Sequence, residues 1–219
     1  MGTGENAALD IIRRETALRA VPLVPVIRLH LADELVGLWE NVETAIGRAD
    51  SEPPFWACAW AGGQALARYL LDHPQAVRGR RVIDVASGSG LVAIAAALAG
   101  AAAVTGYDID PMAIAAIEIN AEANSVPVHA VCDDILDRAA DADLVLVADA
   151  FYERRLAERV TGFLARCHAN GVECLVGDLG RTYLPRDRLT PVTAYDVRGL
   201  SAVENRDVMQ TTIWSFCPI

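Results

Sequence analysis

One carboxylate and a serine-glycine turn form the first group of residues whose types and spacing suggest chemistry. Asp84 lies four positions before Gly88, and Ser87, Gly88 and Gly90 belong to the turn. Glycines let a backbone approach a ligand closely because they carry no Cβ. The apolar run after the turn predicts a helix whose first N–H groups are free to bind that ligand. Strand, glycine turn and helix together predict the first unit of a nucleotide-binding α/β fold.

The charge of Asp84 separates two classes of ligand for this turn. The run from Gly88 to Ala93 also satisfies the dinucleotide pattern G-x-G-x-x-G/A. A carboxylate so close repels a pyrophosphate and attracts a cation. S-adenosylmethionine carries a sulfonium, an ammonium and no phosphate, so Asp84 favours it over a dinucleotide. A structural interpretation stands beside this one, in which Asp84 only braces the turn by accepting backbone N–H bonds.

Further acidic side chains follow the next two predicted strands. Asp108 ends the second strand, about twenty residues beyond the glycine turn, where a carboxylate accepts ribose hydroxyls. Asp133 and Asp134 follow the third strand and are candidates for binding the adenine amino group. We prefer Asp134 because an apolar pair follows it directly. A loop or helix-cap carboxylate is the alternative interpretation of both residues.

Asp149 and Tyr152 come directly after a buried strand predicted over Leu144–Ala148. The carboxyl ends of parallel strands face the ligand crevice of an open α/β sheet. Both side chains are therefore expected beside whatever the reactive end of the ligand meets. Helix capping is the alternative role for Asp149.

Three large rings lie within six residues before a predicted helix, at Phe55, Trp56 and Trp60. The pair Gly62 and Gly63 follows them and permits close backbone approach. We assign Trp60, which is next to the glycines, to the cofactor side. Phe55 and Trp56 fit either a ligand channel or an aromatic core plug.

The elements that position these residues alternate between strands and helices. We predict an α/β fold with a three-layer Rossmann-like sheet of about seven strands, mostly parallel. The last two strands, over 189–197 and 211–216, have only a polar link between them at 204–210. Because no helical crossover joins these strands, we expect a C-terminal antiparallel strand.

Composition limits the classes of partner and compartment. The chain has 219 residues, 53% of them hydrophobic, and a net charge of −10. Such a surface disfavours nucleic acid and suits a basic protein partner; the alternative interpretation is that the charge only keeps the protein soluble. The five cysteines form no C-x-x-C pair, which predicts reduced thiols in a cytoplasmic protein. The four histidines lack metal-ligand spacing, and neither a signal peptide nor a membrane span is predicted.

The sequence resembles the seven-strand class I S-adenosylmethionine-dependent methyltransferases. More narrowly, it resembles the electron transfer flavoprotein β-subunit lysine methyltransferase family. Ala86 departs from that pattern where the wider class has glycine, and Ala61 replaces the proline of W-P-G-G. The resemblance is carried by the runs 53–56, 60–72, 84–90 with 93–96, 108–111, 149–152, 177–178 with 180–181, and 211–214.

The resemblance implies methyl transfer from S-adenosylmethionine to protein lysines, with S-adenosylhomocysteine as product. Asp149 to Tyr152 matches the D-x-x-Y motif of the lysine-modifying branch. We expect Asp149 to capture and orient the lysine and Tyr152 to aim its lone pair. The implied substrate is the electron transfer flavoprotein β subunit, with a ribosomal stalk protein as a second substrate. Alternatives are a small-molecule N- or O-methyltransferase, a dinucleotide-dependent oxidoreductase and a non-enzymatic binding module.

Two parts are expected along the chain. Residues 1–52 carry no nucleotide chemistry and are predicted to form an N-terminal helical extension packed on the core. Its expected elements are a helix over 5–20, a short edge strand over 27–31 and a helix from Asp33. Residues 53–219 are predicted to form the methyltransferase domain.

Overall fold

The N-terminal part combines two helices with a two-stranded hairpin. The structure, a computed structural model, describes residues 3–46, 52–198 and 208–217. The helix expected over 5–20 ends at Glu15, because Ala17 to Ala20 pair with β2 instead. Pairing with a distant strand has overridden the local helical pattern. The elements are α1 (Thr3–Glu15), β1 (Ala17–Val21), β2 (Val24–Leu31) and α2 (Leu35–Ile46).

A seven-stranded sheet follows, in the order β5-β4-β3-β6-β7-β9-β8. The first five strands in this order are parallel, and β9 lies antiparallel between β7 and β8. The predicted fold class is therefore confirmed. The elements are α3 (Ala61–Asp72), β3 (Arg81–Val85), α4 (Leu91–Leu98), β4 (Ala103–Asp108), α5 (Pro111–Ala123), β5 (His129–Cys132), β6 (Leu144–Ala148), α6 (Arg154–Ala169), β7 (Glu173–Asp178), β8 (Leu189–Arg198) and β9 (Val208–Phe216).

The last strand begins earlier than expected. The polar link was expected over 204–210, yet Val208 to Gln210 pair with β8. The remaining link residues, 204–207, lie outside the described part of the chain. None of the helices described is long and apolar enough to cross a membrane.

The central strands are buried on both faces, which is why they are continuous apolar runs. In β6, Leu144 and Leu146 pack with α3 and α4, whereas Val145 and Val147 pack with α6. Alternate residues of a strand point to opposite faces, so one strand contributes to two cores. The sheet is thus the middle of three layers, and its carboxyl edge stays free for a ligand.

The start of α3 touches the end of β7 through two glycines. A Cβ built on Gly177 would lie 2.4 Å from the carbonyl oxygen of Gly62, and one on Gly62 would lie 2.3 Å from the carbonyl oxygen of Gly177. Only glycine allows backbones to approach this closely. The contact brings the first turn of α3 beside the strand ends that carry the candidate acids.

Replacing Gly177 with Ala is expected to destabilise the protein by about 2–3 kcal/mol, because the added methyl group meets backbone. Urea unfolding measures this free energy. Gly162 in α6 is the matched control, because a Cβ there meets only the side chain of Arg166 at 3.7 Å. Gly162→Ala is expected to stabilise by about 0.5–1 kcal/mol. Equal effects of the two substitutions would contradict the role given to the contact.

Two asparagines, Asn120 in α5 and Asn124 at the C-cap of that helix, hold the hairpin against the rest of the chain. The side chain of Asn120 is fully buried and accepts a bond from the N–H of His30 at 2.7 Å. Its Nδ2 donates to the carbonyl of Ser89 at 2.8 Å. Asn124 accepts from the N–H of Arg28 at 2.9 Å and donates to its carbonyl at 2.6 Å. Through Asn120, α5 therefore connects β2 to the serine-glycine turn. The expected boundary between an N-terminal extension and the methyltransferase domain at residue 52 stays a prediction.

Candidate active site

A cavity of about 660 Å³ opens at the carboxyl edge of the sheet. Gly90 does not line it, although the other predicted site residues do. The strand ends converge at this edge because the strands are parallel, and each predicted acid lies at or just after the carboxyl end of a strand. The predicted residues that line the cavity are Trp60, Asp84, Ser87, Gly88, Asp108, Asp133, Asp134, Asp149 and Tyr152.

Asp84 both braces the turn and faces the cavity. Its Oδ2 accepts bonds from Ser87 Oγ at 2.5 Å and from the N–H of Ala93 at 3.1 Å. Burial raises the pKa of this carboxyl to about 7, with a smaller contribution from the nearby charge of Asp108. Among the residues described, no basic side chain forms an ion pair with Asp84. The site thus holds one buried acid that a ligand cation would stabilise.

The turn requires left-handed backbone at three positions. The φ angles are +53° at Ala86, +53° at Gly88 and +80° at Gly90. A Cβ on Gly90 would meet the backbone of Ile117 at 3.2 Å, so this glycine fits the turn against α5. Ala86 adopts the same region with a side chain, which costs about 1–2 kcal/mol.

Replacing Ala86 with Gly is expected to raise the free energy of unfolding by about 0–1 kcal/mol. The relief of left-handed strain exceeds the extra freedom that glycine gives the unfolded chain, about 0.4–1 kcal/mol. Urea unfolding measures the change. A loss of stability would show that the methyl group packs favourably at this position.

Asp108 binds the turn as well as its own loop. Its Oδ2 accepts from the N–H of Gly88 at 2.9 Å, and its Oδ1 accepts from the N–H of Asp110 at 3.0 Å. Burial raises the pKa of this carboxyl, and the backbone bonds oppose the shift. The carboxylate is therefore fixed beside the turn, where its remaining lone pairs can accept hydroxyls.

Asp133 and Asp134 both line the cavity and both already have cationic partners. Asp134 Oδ2 lies 2.8 Å from Arg159, and its Oδ1 caps a short helix by accepting the N–H of Leu136 at 3.0 Å. The Arg159 hydrogen bond is the main cause that lowers the pKa of Asp134. Asp133 Oδ2 pairs with Arg138 at 2.5 Å. The capping alternative thus applies to Asp134, and Arg159 is a cavity residue that the sequence analysis missed.

The side chain of Asp149 is largely enclosed, with 10% of it exposed. Its Oδ2 accepts the N–H of Gly63 at 2.9 Å, which caps the first turn of α3 from another part of the chain. Its Oδ1 lies 3.0 Å from Arg181 Nη2. Burial raises the pKa of Asp149 to about 6, the Arg181 charge opposes the shift and the charge of Asp178 adds to it.

Sequence reasoning missed the contact of Arg181 with Asp149. Arg181 comes three residues after the end of β7, so its position at the carboxyl edge was a usable signal. Pairing across 32 positions in the chain is visible only in three dimensions.

Three aromatic side chains, called the aromatic rim below, line the same cavity as Asp149. The Phe55 ring lies 5.9 Å from Trp60 and 5.7 Å from Tyr152. Tyr152 is half exposed, and burial raises the pKa of its hydroxyl, which keeps the hydroxyl protonated at neutral pH. Trp56 is fully buried, so the core interpretation holds for its side chain, whereas Phe55 belongs to the rim.

These residues fit S-adenosylmethionine. The buried Asp84 matches a ligand cation, Asp108 beside the glycine turn matches a ribose, and the rings match an apolar methyl-donor end. The cavity volume of about 660 Å³ is in the range of small-molecule sites. A diphosphate on this turn would meet Asp84 and Asp108, neither of which has a basic partner among the residues described, so a dinucleotide fits poorly.

Known proteins match most of this chain. The family profile of the ribosomal protein L11 methyltransferases matches residues 65–174. An electron transfer flavoprotein beta subunit lysine methyltransferase of Xenopus laevis is 34% identical over 99% of this chain and 89% of its own length. The Homo sapiens protein with the same description is 37% identical over 90% of this chain and 76% of its own length.

A solved structure supports the fold independently. The magnesium protoporphyrin IX methyltransferase of Synechocystis, with bound S-adenosylhomocysteine, superposes with a TM-score of 0.52 at 11% identity. The match covers 69% of this chain and 80% of that one. This comparison supports the fold alone, whereas the two sequence relatives show the family. The chain therefore belongs to the electron transfer flavoprotein beta subunit lysine methyltransferase family, as its sequence motifs predicted.

Proposed function

We propose that this protein transfers methyl groups from S-adenosylmethionine to lysine side chains of the electron transfer flavoprotein β subunit. The observation that carries this is the enclosed Asp149 in a cavity that Phe55, Trp60 and Tyr152 also line, in a chain that matches lysine methyltransferases over most of its length. A carboxylate in a cavity lined by aromatic rings suits an ammonium on an alkyl chain.

Several cavity residues would hold the cofactor. Asp84 and the turn Ser87–Gly88 would bind its methionine end, Asp108 its ribose, Asp133 or Asp134 its adenine, and Trp60 would lie beside its methyl group. When bound, the cofactor supplies an electrophilic methyl group on a positively charged sulfur. The rest of the chemistry belongs to the acceptor lysine and the residues around it.

The lysine must react as a neutral amine. A free lysine has a pKa of ~10.4, so neutrality at pH 7 costs about 4–5 kcal/mol. The aromatic rim lowers the pKa of the amine by desolvation, whereas Asp149 favours its charged form. Asp149 therefore captures and orients the ammonium, and the proton leaves to water before attack. The protonated Tyr152 hydroxyl accepts an amine N–H and directs the lone pair, so alignment supplies much of the rate.

Ribosomal protein L11 is the second candidate substrate, because the family profile of the enzymes named for it matches half of the chain. The acidic composition, with a net charge of −10, suits lysine-bearing protein surfaces and disfavours nucleic acid. We propose a cytoplasmic location without membrane attachment, supported by five free cysteines.

The test is mass spectrometry of purified acceptors after incubation with enzyme and S-adenosylmethionine. The arms contain the flavoprotein β subunit, protein L11 and a protein-free metabolite extract. All 19 basic residues counted as lysine or arginine in this chain are arginine, so every methylated lysine belongs to the acceptor. Gains of 14 mass units (one methyl) on lysines of the β subunit are expected. Methylation confined to the metabolite arm would favour the small-molecule alternative.

A further inference from the structure

Arg181 lies within ion-pair distance of two buried carboxylates, but its side chain donates a hydrogen bond to only one of them. Its Nη2 is 3.0 Å from Asp149 Oδ1, whereas its Nε is 3.9 Å from Asp178 Oδ2. The side chain of Asp178 is fully buried, and that of Asp149 is 10% exposed. The guanidinium of Arg181 can therefore hydrogen-bond either Asp149 or Asp178, depending on its side-chain conformation.

The contact with Asp178 is incomplete in this arrangement. Asp178 Oδ2 and Arg181 Nε are buried atoms, and neither has a hydrogen-bond partner among the residues described. Buried polar atoms nearly always have partners. Shortening the 3.9 Å separation by about 1 Å would form a normal hydrogen bond between them.

The backbone around Arg181 is already fixed, so only its side chain needs to move. Asp178 Oδ1 accepts the N–H groups of Gly180 at 2.6 Å and of Arg181 at 2.7 Å. Gly180 has a φ of +90°, which its missing side chain permits. The guanidinium of Arg181 can therefore reach both acids without a change in the backbone of the loop.

The charges leave room for one more cation. When Asp149 and Asp178 are both ionised, Arg181 is the only cation within ion-pair distance of either acid among the residues described, and the charge of Arg186 acts on Asp178 from farther away. A buried charge is costly unless it is paired. A substrate ammonium supplies a second close cation, and Asp149 is the acid of the two that lines the cavity together with the aromatic rim.

We infer that the substrate ammonium takes the place of Arg181 on Asp149 while the guanidinium moves onto Asp178. This exchange rests on the proposed function, because lysine is the assumed acceptor. It gives each carboxylate its own cation once substrate is bound, and it makes or breaks no covalent bond. Arg181 is thus a positioning residue that occupies the lysine site until substrate arrives.

The first experiment does not depend on the protein substrate. Crystals of the full chain with S-adenosylhomocysteine are soaked in n-butylammonium chloride, which stands in for a lysine side chain. The expected result is an ammonium on Asp149 and the Arg181 guanidinium within hydrogen-bond distance of Asp178. An ammonium on Asp149 with Arg181 unmoved, or no ammonium at Asp149, would overturn the exchange.

The second experiment compares Asp178→Asn and Arg181→Gln, for which the exchange predicts opposite changes in KM. Asp178→Asn keeps the acceptor for the loop N–H groups but offers Arg181 an amide instead of a charge. Its KM for the methyl acceptor is expected to rise about tenfold with kcat little changed, which corresponds to about 1.4 kcal/mol. Arg181→Gln removes the competing cation, but it also removes a charge that lowers the pKa of Asp149. Its KM is therefore expected to fall several-fold once the pH is high enough to ionise Asp149 in the variant.

A control variant and a binding measurement distinguish the proposed exchange from a purely structural role of Arg181 and Asp178. Arg188→Gln removes the same charge from an exposed position on the next short helix and is expected to leave KM unchanged. Binding of S-adenosylhomocysteine is measured for all three variants to confirm that they fold. A rise in KM for both Asp178→Asn and Arg181→Gln would overturn the exchange. Failure of the wild-type enzyme on every acceptor protein would contradict the proposed function instead, and the crystal experiment would still decide the exchange.

Discussion

Asp149→Asn is expected to lower kcat/KM for the protein acceptor by about 10²- to 10³-fold, because an amide cannot pair with the substrate ammonium. Asparagine still accepts the Gly63 N–H and tolerates the φ of +55° at this position. Arg181 retains Asp178 as a partner, so the fold is expected to persist. Steady-state methylation assays measure the loss.

Binding of S-adenosylhomocysteine separates a catalytic role from a general defect. Calorimetry is expected to give an affinity within about twofold of the wild type for Asp149→Asn. Asp141→Asn makes the same chemical change at a side chain that is 94% exposed, where no loss of methylation is expected. Methylation retained by Asp149→Asn would remove the assignment of lysine capture to this residue.

Asp84→Asn is expected to weaken S-adenosylhomocysteine binding by about 10²-fold or more at pH 8 and to stabilise the ligand-free protein. The weaker binding follows from the loss of the buried charge that pairs with the ligand ammonium, since breaking such a pair costs about 3–5 kcal/mol. Asparagine preserves an acceptor for Ser87 and for the N–H of Ala93. Calorimetry and urea unfolding measure the two effects.

The stabilisation has a definite pH window. The folded pKa of Asp84 is about 7, above the unfolded value of about 3.9. The folded state therefore binds more protons between these pH values, and wild-type stability falls as pH rises through them, by up to about 4 kcal/mol. The substitution removes that loss, so the two proteins are expected to differ most above pH 7.

The same pKa governs ligand affinity. In the wild type, S-adenosylhomocysteine affinity is expected to rise about tenfold per pH unit up to about pH 7 and then to level off. Asp84→Asn is expected to bind with no such dependence. A flat wild-type profile would show that Asp84 is not the partner of the ligand ammonium.

The strand, turn and helix around Asp84 were predictable because their signals are local. An apolar strand, glycines at positive φ and an apolar helix follow one another within a short stretch. The acids at the strand ends followed from the parallel sheet, which places every such end at one edge. The mostly parallel sheet was predictable from the alternation of strands and helices along the chain.

What could not be predicted depends on partners far apart in the chain. The run Ala17 to Ala20 has a helical pattern but pairs with β2. Phe55 and Trp56 are neighbours of similar type, and only packing places Trp56 in the core and Phe55 at the rim. The contact of Arg181 with Asp149 likewise depends on how β6 and β7 lie side by side.

The amide of Asn120 makes the hairpin sensitive to events in the cavity. It accepts a hydrogen bond from the N–H of His30 and donates one to the carbonyl of Ser89, and Ser89 lines the cavity. A ligand that immobilises the turn therefore also restrains local opening of β2. Hydrogen exchange at the His30 amide is expected to slow when S-adenosylhomocysteine binds, although no ligand atom needs to touch that strand. The hairpin would then report occupancy of a site on the other side of α5.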